Sequence, residues 1–570
     1  MLKPIISCTL LLSLSFSALA QPRRLTQFGD IDGFYYVDPC TDKKAEIYLG
    51  VPFAEPPLGE LRFEKTQPWT KKWSSPLNAT QFAPGCVPMM LPPGQPYNED
   101  CLKMNIMVPT EPSSDPAGYP VLLYIHGGAF GWGLAETYGY KNLTQNFVSK
   151  GLIVIVIQYR LGPMGFITDG TKNLGGNFGM YDQAEALRWV HYNIHSFGGN
   201  NGKVTAWGLS AGGGSVGVLE LSPYSRDYIH NIIGMSGTPL CPWGVQHQAH
   251  LVKYSKEVAD VLNCEDGKWK ECFKKTTTDE FLEATSKITR PIPEVELLMF
   301  IPSYDGNFIP KHVYELVEET AQKTKINAMI GVTKLESLYF TILNQFMVMN
   351  SLDIPKMKQG VYTKKEFVEY VHKTLTNEER LGKEWKDLED KIVDFYTKGH
   401  EEVTDPNLKE NFYLWRYMEL TGDLFFNIGA LQYADLRTAN GLTTYLYHTE
   451  HFNPSQYPDD IKIKAATHAN EYPYMNGDYP VGAFEFDDED RKHQKVVVDM
   501  ITNMALTGKP HPDWKPLGKD RKNYANINTT LEFRAEEFQP EKWHFWNKLA
   551  KEYGRDIISL KQVRSNRDEL

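Results

Sequence analysis

The sequence predicts an α/β protein built on a central, mostly parallel sheet flanked by helices. Three observations carry that expectation. Two continuous apolar runs, Pro120 to Ile125 and Leu152 to Tyr159, have the composition of strands buried on both faces. A stretch from Met180 to His195 then places Ala184, Leu187, Trp189, Val190 and Ile194 at helical spacing. Finally, Gly208-Leu209-Ser210-Ala211-Gly212 joins a strand-like run, Lys203 to Trp207, to small residues able to open a helix. Strands that alternate with helices imply parallel pairing through crossover connections.

The chain begins with Lys3, an apolar run from Ile5 to Phe16, and Ala18-Leu19-Ala20. This pattern predicts a secretory leader over residues 1–20, cleaved after Ala20. The run is too short to cross a bilayer, and no later stretch reaches about 18 apolar residues, so no membrane span is expected. Further strands are expected at Ile232–Met235, Asn327–Val332 and Thr443–His448. Charged stretches such as Lys364–Thr376 and Glu384–Thr397 predict large helical insertions in the C-terminal half. No repeat, heptad array or low-complexity linker divides the chain, so one large domain is expected over residues 21–570.

Loss of Lys3 with the leader leaves 59 basic residues against 71 acidic ones, a net charge of −12. That balance argues against a nucleic-acid partner, which needs basic surface. Cys8 leaves with the leader, and Cys40, Cys86, Cys101, Cys241, Cys264 and Cys272 remain. An oxidising lumen favours disulfides. Six cysteines permit many pairings. Cys86 with Cys101 and Cys264 with Cys272 lie close enough in sequence to close small loops, while Cys40 and Cys241 either pair or leave Cys241 a buried thiol. Asn78, Asn142 and Asn528 head sequons for glycosylation. The tail, Arg567-Asp568-Glu569-Leu570, differs by one residue from the Lys-Asp-Glu-Leu retrieval address. With the leader it predicts residence in the endoplasmic reticulum lumen, a retrieval receptor as partner, and partial secretion.

Ser210 has the setting of a nucleophile elbow. A serine on a sharp strand-to-helix turn is held in a strained conformation with its hydroxyl exposed. A flexible loop is the plain alternative, and a phosphate-binding loop is disfavoured because no lysine follows the glycines. Upstream, His126-Gly127-Gly128-Ala129-Phe130 directly follows a buried strand. Small residues there let backbone N–H groups face a developing oxyanion, and the N–H of Ala211 would complete the hole; each such donor is worth about 3–4 kcal/mol. A serine nucleophile needs a base, and the base needs a carboxylate. In chain order, Glu336 follows the strand-like Asn327–Ile330, and His468 stands among small residues in Ala465 to Glu471. Spacing alone leaves His448 and His451 as competing bases.

These stretches together resemble the type-B carboxylesterases, the α/β-hydrolase family that includes the cholinesterases. The resemblance covers nearly all of the mature chain. It rests on Gly50 to Pro57, Glu99-Asp100-Cys101-Leu102, His126–Phe130, Tyr159 to Gly162, Gly179 to Gln183, the Ser210 elbow and Met235-Ser236-Gly237. The leader, sequons and tail also resemble nematode gut-type esterases. The resemblance implies the α/β-hydrolase fold and a serine esterase acting on small-molecule esters without cofactor or metal. It implies Ser210 as nucleophile, Glu336 as acid and His468 as base. It implies oxyanion donors at Gly128, Ala129 and Ala211, and disulfides Cys86–Cys101 and Cys264–Cys272. It further implies Ser236 as support for the triad, and Arg62 with Glu99 and Arg160 with Asp182 as structural ion pairs.

Two departures stand out. The third oxyanion-loop glycine is Ala129, whose methyl narrows the hole. The loop from Cys86 to Cys101 carries no tryptophan, whereas the cholinesterase loop stacks one on quaternary ammonium. A dedicated acetylcholinesterase is therefore not expected. Two other functions compete with hydrolysis. One is acyl transfer to an alcohol through the same acyl-enzyme. The other is a non-catalytic, neuroligin-like adhesion module, disfavoured by the presence of Ser210. Phe130, Trp132 and Trp243 are candidates either for an apolar acyl pocket or for core packing.

Overall fold

An eleven-stranded mixed sheet organises the molecule. Its strands, in chain order, are β1 (Phe34–Val37), β2 (Lys44–Pro52), β3 (Lys103–Pro109), β4 (Tyr119–Ile125), β5 (Ile153–Ile157), β6 (Gly199–Leu209), β7 (Asn231–Met235), β8 (Asn327–Thr333), β9 (Thr444–Thr449), β10 (Lys522–Ile527) and β11 (Leu531–Glu537). Across the sheet the order is β11-β10-β9-β8-β7-β6-β4-β5-β3-β2-β1. The central pairings, from β5 through β10, are parallel, and the flanking ones are antiparallel. The structure, a computed structural model, describes residues 21–554 and 556, apart from 40–41, 90–93, 293–294, 296 and 344–350. The expected leader, Cys40 and the 567–570 tail lie outside the described residues.

The two apolar runs form β4 and β5, and each is buried on both faces. Val121, Leu123, Ile125, Ile153, Ile155 and Ile157 pack on one side. Leu122, Tyr124, Val154 and Val156 pack on the other. Each fully buried side chain of this kind stabilises by about 1.5–3 kcal/mol, which is why a polar residue in either register would be costly. Helices α1 (Phe178–Asn193) and α2 (Ala211–Leu221) cover the first face, and α4 (Asp488–Thr507) covers the second through Val497, Ile501 and Met504. Helix α3 (Ile428–Ala439) is tied to α2 by an ion pair between Arg437 and Glu220, both fully buried. Burial pulls the Arg437 guanidinium down to about 9.

The segment Lys364–Thr376 forms a helix only to Val371, then a wide π turn over His372–Thr376. The Glu384–Thr397 helix starts at Trp385. Strand β6 begins earlier than the apolar pattern indicates, at Gly199, because Gly199 pairs with Tyr119 across an irregularity in the ladder. Among the described residues no helix is long and apolar enough to cross a membrane.

Register explains where a site can form. Ile125 lies opposite Gly208, Leu209 opposite Met235, and Met235 opposite Gly331. The carboxyl ends of β4, β6, β7 and β8 therefore finish at one edge. The loops that follow carry Gly128, Ser210, Ser236 and Glu336, and such an edge is where open α/β sheets place ligands.

Candidate active site

Ser210 occupies the residue between β6 and α2 with φ 61° and ψ −124°. That backbone is unfavourable for a side-chain-bearing residue and marks stored strain. The turn is over-determined by its neighbours. The Ser210 N–H donates to the carbonyl of Met235 at 2.8 Å, and its carbonyl accepts from Gly214 at 2.9 Å. A Cβ on Gly208 would stand 2.4 Å from the Gly212 backbone, and one on Gly212 would stand 2.1 Å from the Ile125 carbonyl oxygen. The two glycines flanking the serine are thus required by close approach of backbone.

Glu336 and His468 are both buried, at 0% and 3% exposure. Nδ1 of His468 lies 2.8 Å from Oε2 of Glu336. An ionised carboxylate only accepts, so Nδ1 carries the proton and Nε2 keeps its lone pair for the cavity. The other carboxylate oxygen, Oε1, accepts from Ser236 Oγ at 2.7 Å and from the Thr333 N–H at 2.7 Å. Ser236 itself sits at positive φ, 49°, after β7. Among the described residues no hydrogen bond joins Ser210 Oγ to His468. The two side chains line one cavity.

The loop after β4 turns sharply. Gly128 has φ 105°, and a Cβ there would meet the Trp132 carbonyl oxygen at 2.2 Å. Ala129 and Phe130 follow at φ 52° and 56°. Among the described residues the N–H groups of Gly128, Ala129 and Ala211 donate to no protein acceptor. Gly128 and Ala129 border the cavity beside Ser210. His126, at the start of the loop, is buried against Tyr159, and burial pulls its imidazole down to about 4, so it is neutral.

The cavity holds about 380 Å³ and is mainly apolar. Trp132 and Trp243 line it; Phe130 does not, being fully buried against Phe166. Several lining residues had no signature in the sequence. Phe340 and Phe426 flank the His468 ring at 5.0 and 4.8 Å between centroids. Phe426 comes from a π turn, Asp423–Asn427, a kind of irregularity that often marks functional sites and that appears only in the folded chain. Tyr138, Tyr472 and Asp478 line the cavity elsewhere. Near Glu336, Glu471 is fully buried; its Oε1 accepts from Tyr447 and Thr449, and its Oε2 has no partner among the described residues. Burial first, and then the nearby Glu336, push its carboxyl up to about 7.

The family model described as the carboxylesterase family matches residues 20–546. The chain belongs to the carboxylesterase family. It is a carboxylic ester hydrolase of the α/β-hydrolase fold. It is 33% identical to gut esterase 1 of Caenorhabditis elegans, with 96% of each chain covered. It is 30% identical to the liver carboxylesterase of Sus scrofa, covering 95% of this chain and 94% of the relative. It is 28% identical to the bile salt-activated lipase of Bos taurus, covering 89% and 84%.

The other expected features of this carboxylesterase fall as follows. Disulfides join Cys86 to Cys101 and Cys264 to Cys272, and among the described residues Cys241 is a buried free thiol whose titration burial pushes up to about 12. Arg62 pairs with Glu99 at 2.7 Å, and Arg160 grips Asp182 with two nitrogens at 2.8 and 2.9 Å. His448 and His451 do not border the cavity; they face Glu450 and Asp490. Asn78 is exposed and Asn528 half-buried, but Nδ2 of Asn142 donates to the Asn476 carbonyl at 2.9 Å and packs against Gly477. Among the described residues no group of three or more His, Cys, Asp or Glu side chains is placed to hold a metal.

Proposed function

We propose that the carboxylesterase hydrolyses small-molecule esters through an acyl-enzyme on Ser210. The observation that carries this reading is the shared cavity of Ser210 and His468, with His468 held at Nδ1 by buried Glu336. Ser210 Oγ attacks the ester carbonyl while Nε2 of His468 takes its proton. The oxyanion is met by the unclaimed N–H groups of Gly128, Ala129 and Ala211. Glu336 stabilises the imidazolium. The imidazolium then gives its proton to the leaving alcohol, and an acyl-serine remains. Water, deprotonated by His468, attacks the acyl carbon; the C–Oγ bond breaks and Ser210 regains a proton. The chain works as one luminal domain over residues 21–570, after loss of the 1–20 leader, with the tail engaging a retrieval receptor.

Labelling with an organophosphorus probe followed by peptide mapping tests the mechanism. The expected result is one label, on Ser210, and its absence from Ser210→Ala. A label elsewhere, or a Ser210→Ala enzyme hydrolysing short aryl esters at the wild-type rate, overturns it.

A further inference from the structure

We propose that Asp478 makes this site selective for esters that carry a cationic group away from the scissile bond. The inference rests on the serine-esterase reading and adds a substrate class to it.

Asp478 follows the His468 segment and lines the same cavity as Ser210. It is the one carboxylate of that lining among the described residues, where no lysine or arginine stands. Its backbone is fixed: the Asp478 N–H donates to Oδ1 of Asn476 at 3.0 Å, and Gly477 before it takes φ 78°. Its carboxylate has no cationic partner among the described residues. The acid is partly buried, and burial raises its pKa. A carboxylate taken out of water beside apolar walls costs free energy unless something compensates it.

The surroundings suit a cation as the compensating group. Tyr138 and Tyr472 line the cavity with Asp478, and their rings pack edge to face at 5.7 Å. Tyr472 OH is itself bonded to Tyr124 OH at 2.8 Å, so this wall is held in place from behind. Tyr339 and Trp132 add further aromatic rings to the lining. A carboxylate together with aromatic faces attracts an ammonium by charge and by the ring quadrupoles, and an anion is repelled by the same wall. The missing tryptophan in the Cys86–Cys101 loop removes one way of binding a cation. Asp478 supplies another, from a different segment of the chain.

The test compares kcat/KM for isosteric ester pairs that differ only in charge. One pair is butyrylcholine and 3,3-dimethylbutyl butyrate, with the charge on the alcohol. The other is the ethyl esters of 4-(trimethylammonio)butyrate and 5,5-dimethylhexanoate, with the charge on the acyl group. In the wild type at least one cationic member is expected to be preferred. Asp478→Asn is expected to lower that cationic-to-neutral ratio about tenfold, and Asp478→Glu to keep most of it. Organophosphorus labelling of Ser210 in each variant confirms an assembled site. Ratios unchanged by Asp478→Asn in both pairs, with Ser210 labelled, overturn the assignment of Asp478 alone. A wild type that takes no label on Ser210 overturns the serine mechanism and this assignment with it.

Discussion

Ser236 donates a 2.7 Å hydrogen bond to Oε1 of Glu336, on the carboxylate oxygen opposite the one that holds His468. The two residues come from adjacent parallel strands whose ends are in register, Met235 beside Gly331. The acid is therefore oriented from two sides. Among the described residues, Ser236→Ala leaves the Thr333 N–H as the one donor to that oxygen. A hydrogen bond to a buried charged group is worth about 1.5–3 kcal/mol. The variant is expected to lose roughly tenfold or more in kcat with a smaller change in KM, as measured on short aryl esters.

Glu336→Gln keeps the shape of the acid but presents an amide to Nδ1 of His468. The amide N–H₂ favours the wrong imidazole tautomer, in which Nε2 carries the proton. A loss of about 10⁴ in kcat is expected by analogy with the serine-protease acid. A steady-state comparison with Glu336→Asp, which keeps the charge, separates tautomer from geometry. A Glu336→Gln enzyme within tenfold of wild type would remove Glu336 from the triad.

Glu471 should leave a signature in stability rather than in a single rate. Its carboxyl is raised from 4.5 to about 7, so the folded state holds a proton that the unfolded state releases. Stability from this group is present below about 4.5 and is lost as pH rises to about 7, a change of about 3 kcal/mol. Glu471→Gln cannot ionise and is expected to flatten that part of the stability–pH curve. Denaturant titrations from pH 4.5 to 8 check this; parallel curves for the two proteins would contradict it.

Acid should act in the opposite sense through buried histidines. Burial holds His126 at about 4 and His493 at about 3, against an ordinary value of 6.5. Both are neutral in the fold, and the unfolded chain takes up the protons. Stability contributed by these groups is present above pH 6.5 and is lost progressively as pH falls towards 3–4. His493→Asn is expected to shift the acid-unfolding midpoint downward relative to its own stability at pH 8. A circular-dichroism acid titration measures the shift.

The disulfides differ in the loops they close. Cys86–Cys101 spans 15 residues and Cys264–Cys272 spans 8. Chain entropy assigns about 3 kcal/mol to the longer loop and about 2.5 kcal/mol to the shorter. The double variant Cys86→Ala/Cys101→Ala is expected to lose somewhat more stability in guanidinium titration than Cys264→Ala/Cys272→Ala. Glycan mapping should find Asn78 occupied and Asn142 empty, because the Asn142 amide is engaged with Asn476.

Much of this arrangement was legible in the chain. The two apolar runs became β4 and β5 because each can be buried on both faces only at the centre of a sheet. Gly208, Ser210 and Gly212 could be read as an elbow because the spacing of the glycines records where backbones touch. His468 could not be separated from His448 and His451 by local spacing, since all three follow β8 in sequence and each has acids nearby. The sheet register separates them, carrying the Glu336 loop to His468 while His448 and His451 face Glu450 and Asp490.

What the sequence determined by itself is what depends on near neighbours: strand burial, the strained turn at Ser210, and small loops closed by close cysteines. What only the tertiary structure decided is what depends on distant segments meeting. Phe340 and Phe426 come together around His468, and Asp478 lines the cavity of Ser210 with no counter-charge among the described residues. The physical reason is range. Steric limits on backbone act over a few residues, whereas packing and electrostatics act through space between segments that the chain separates by hundreds.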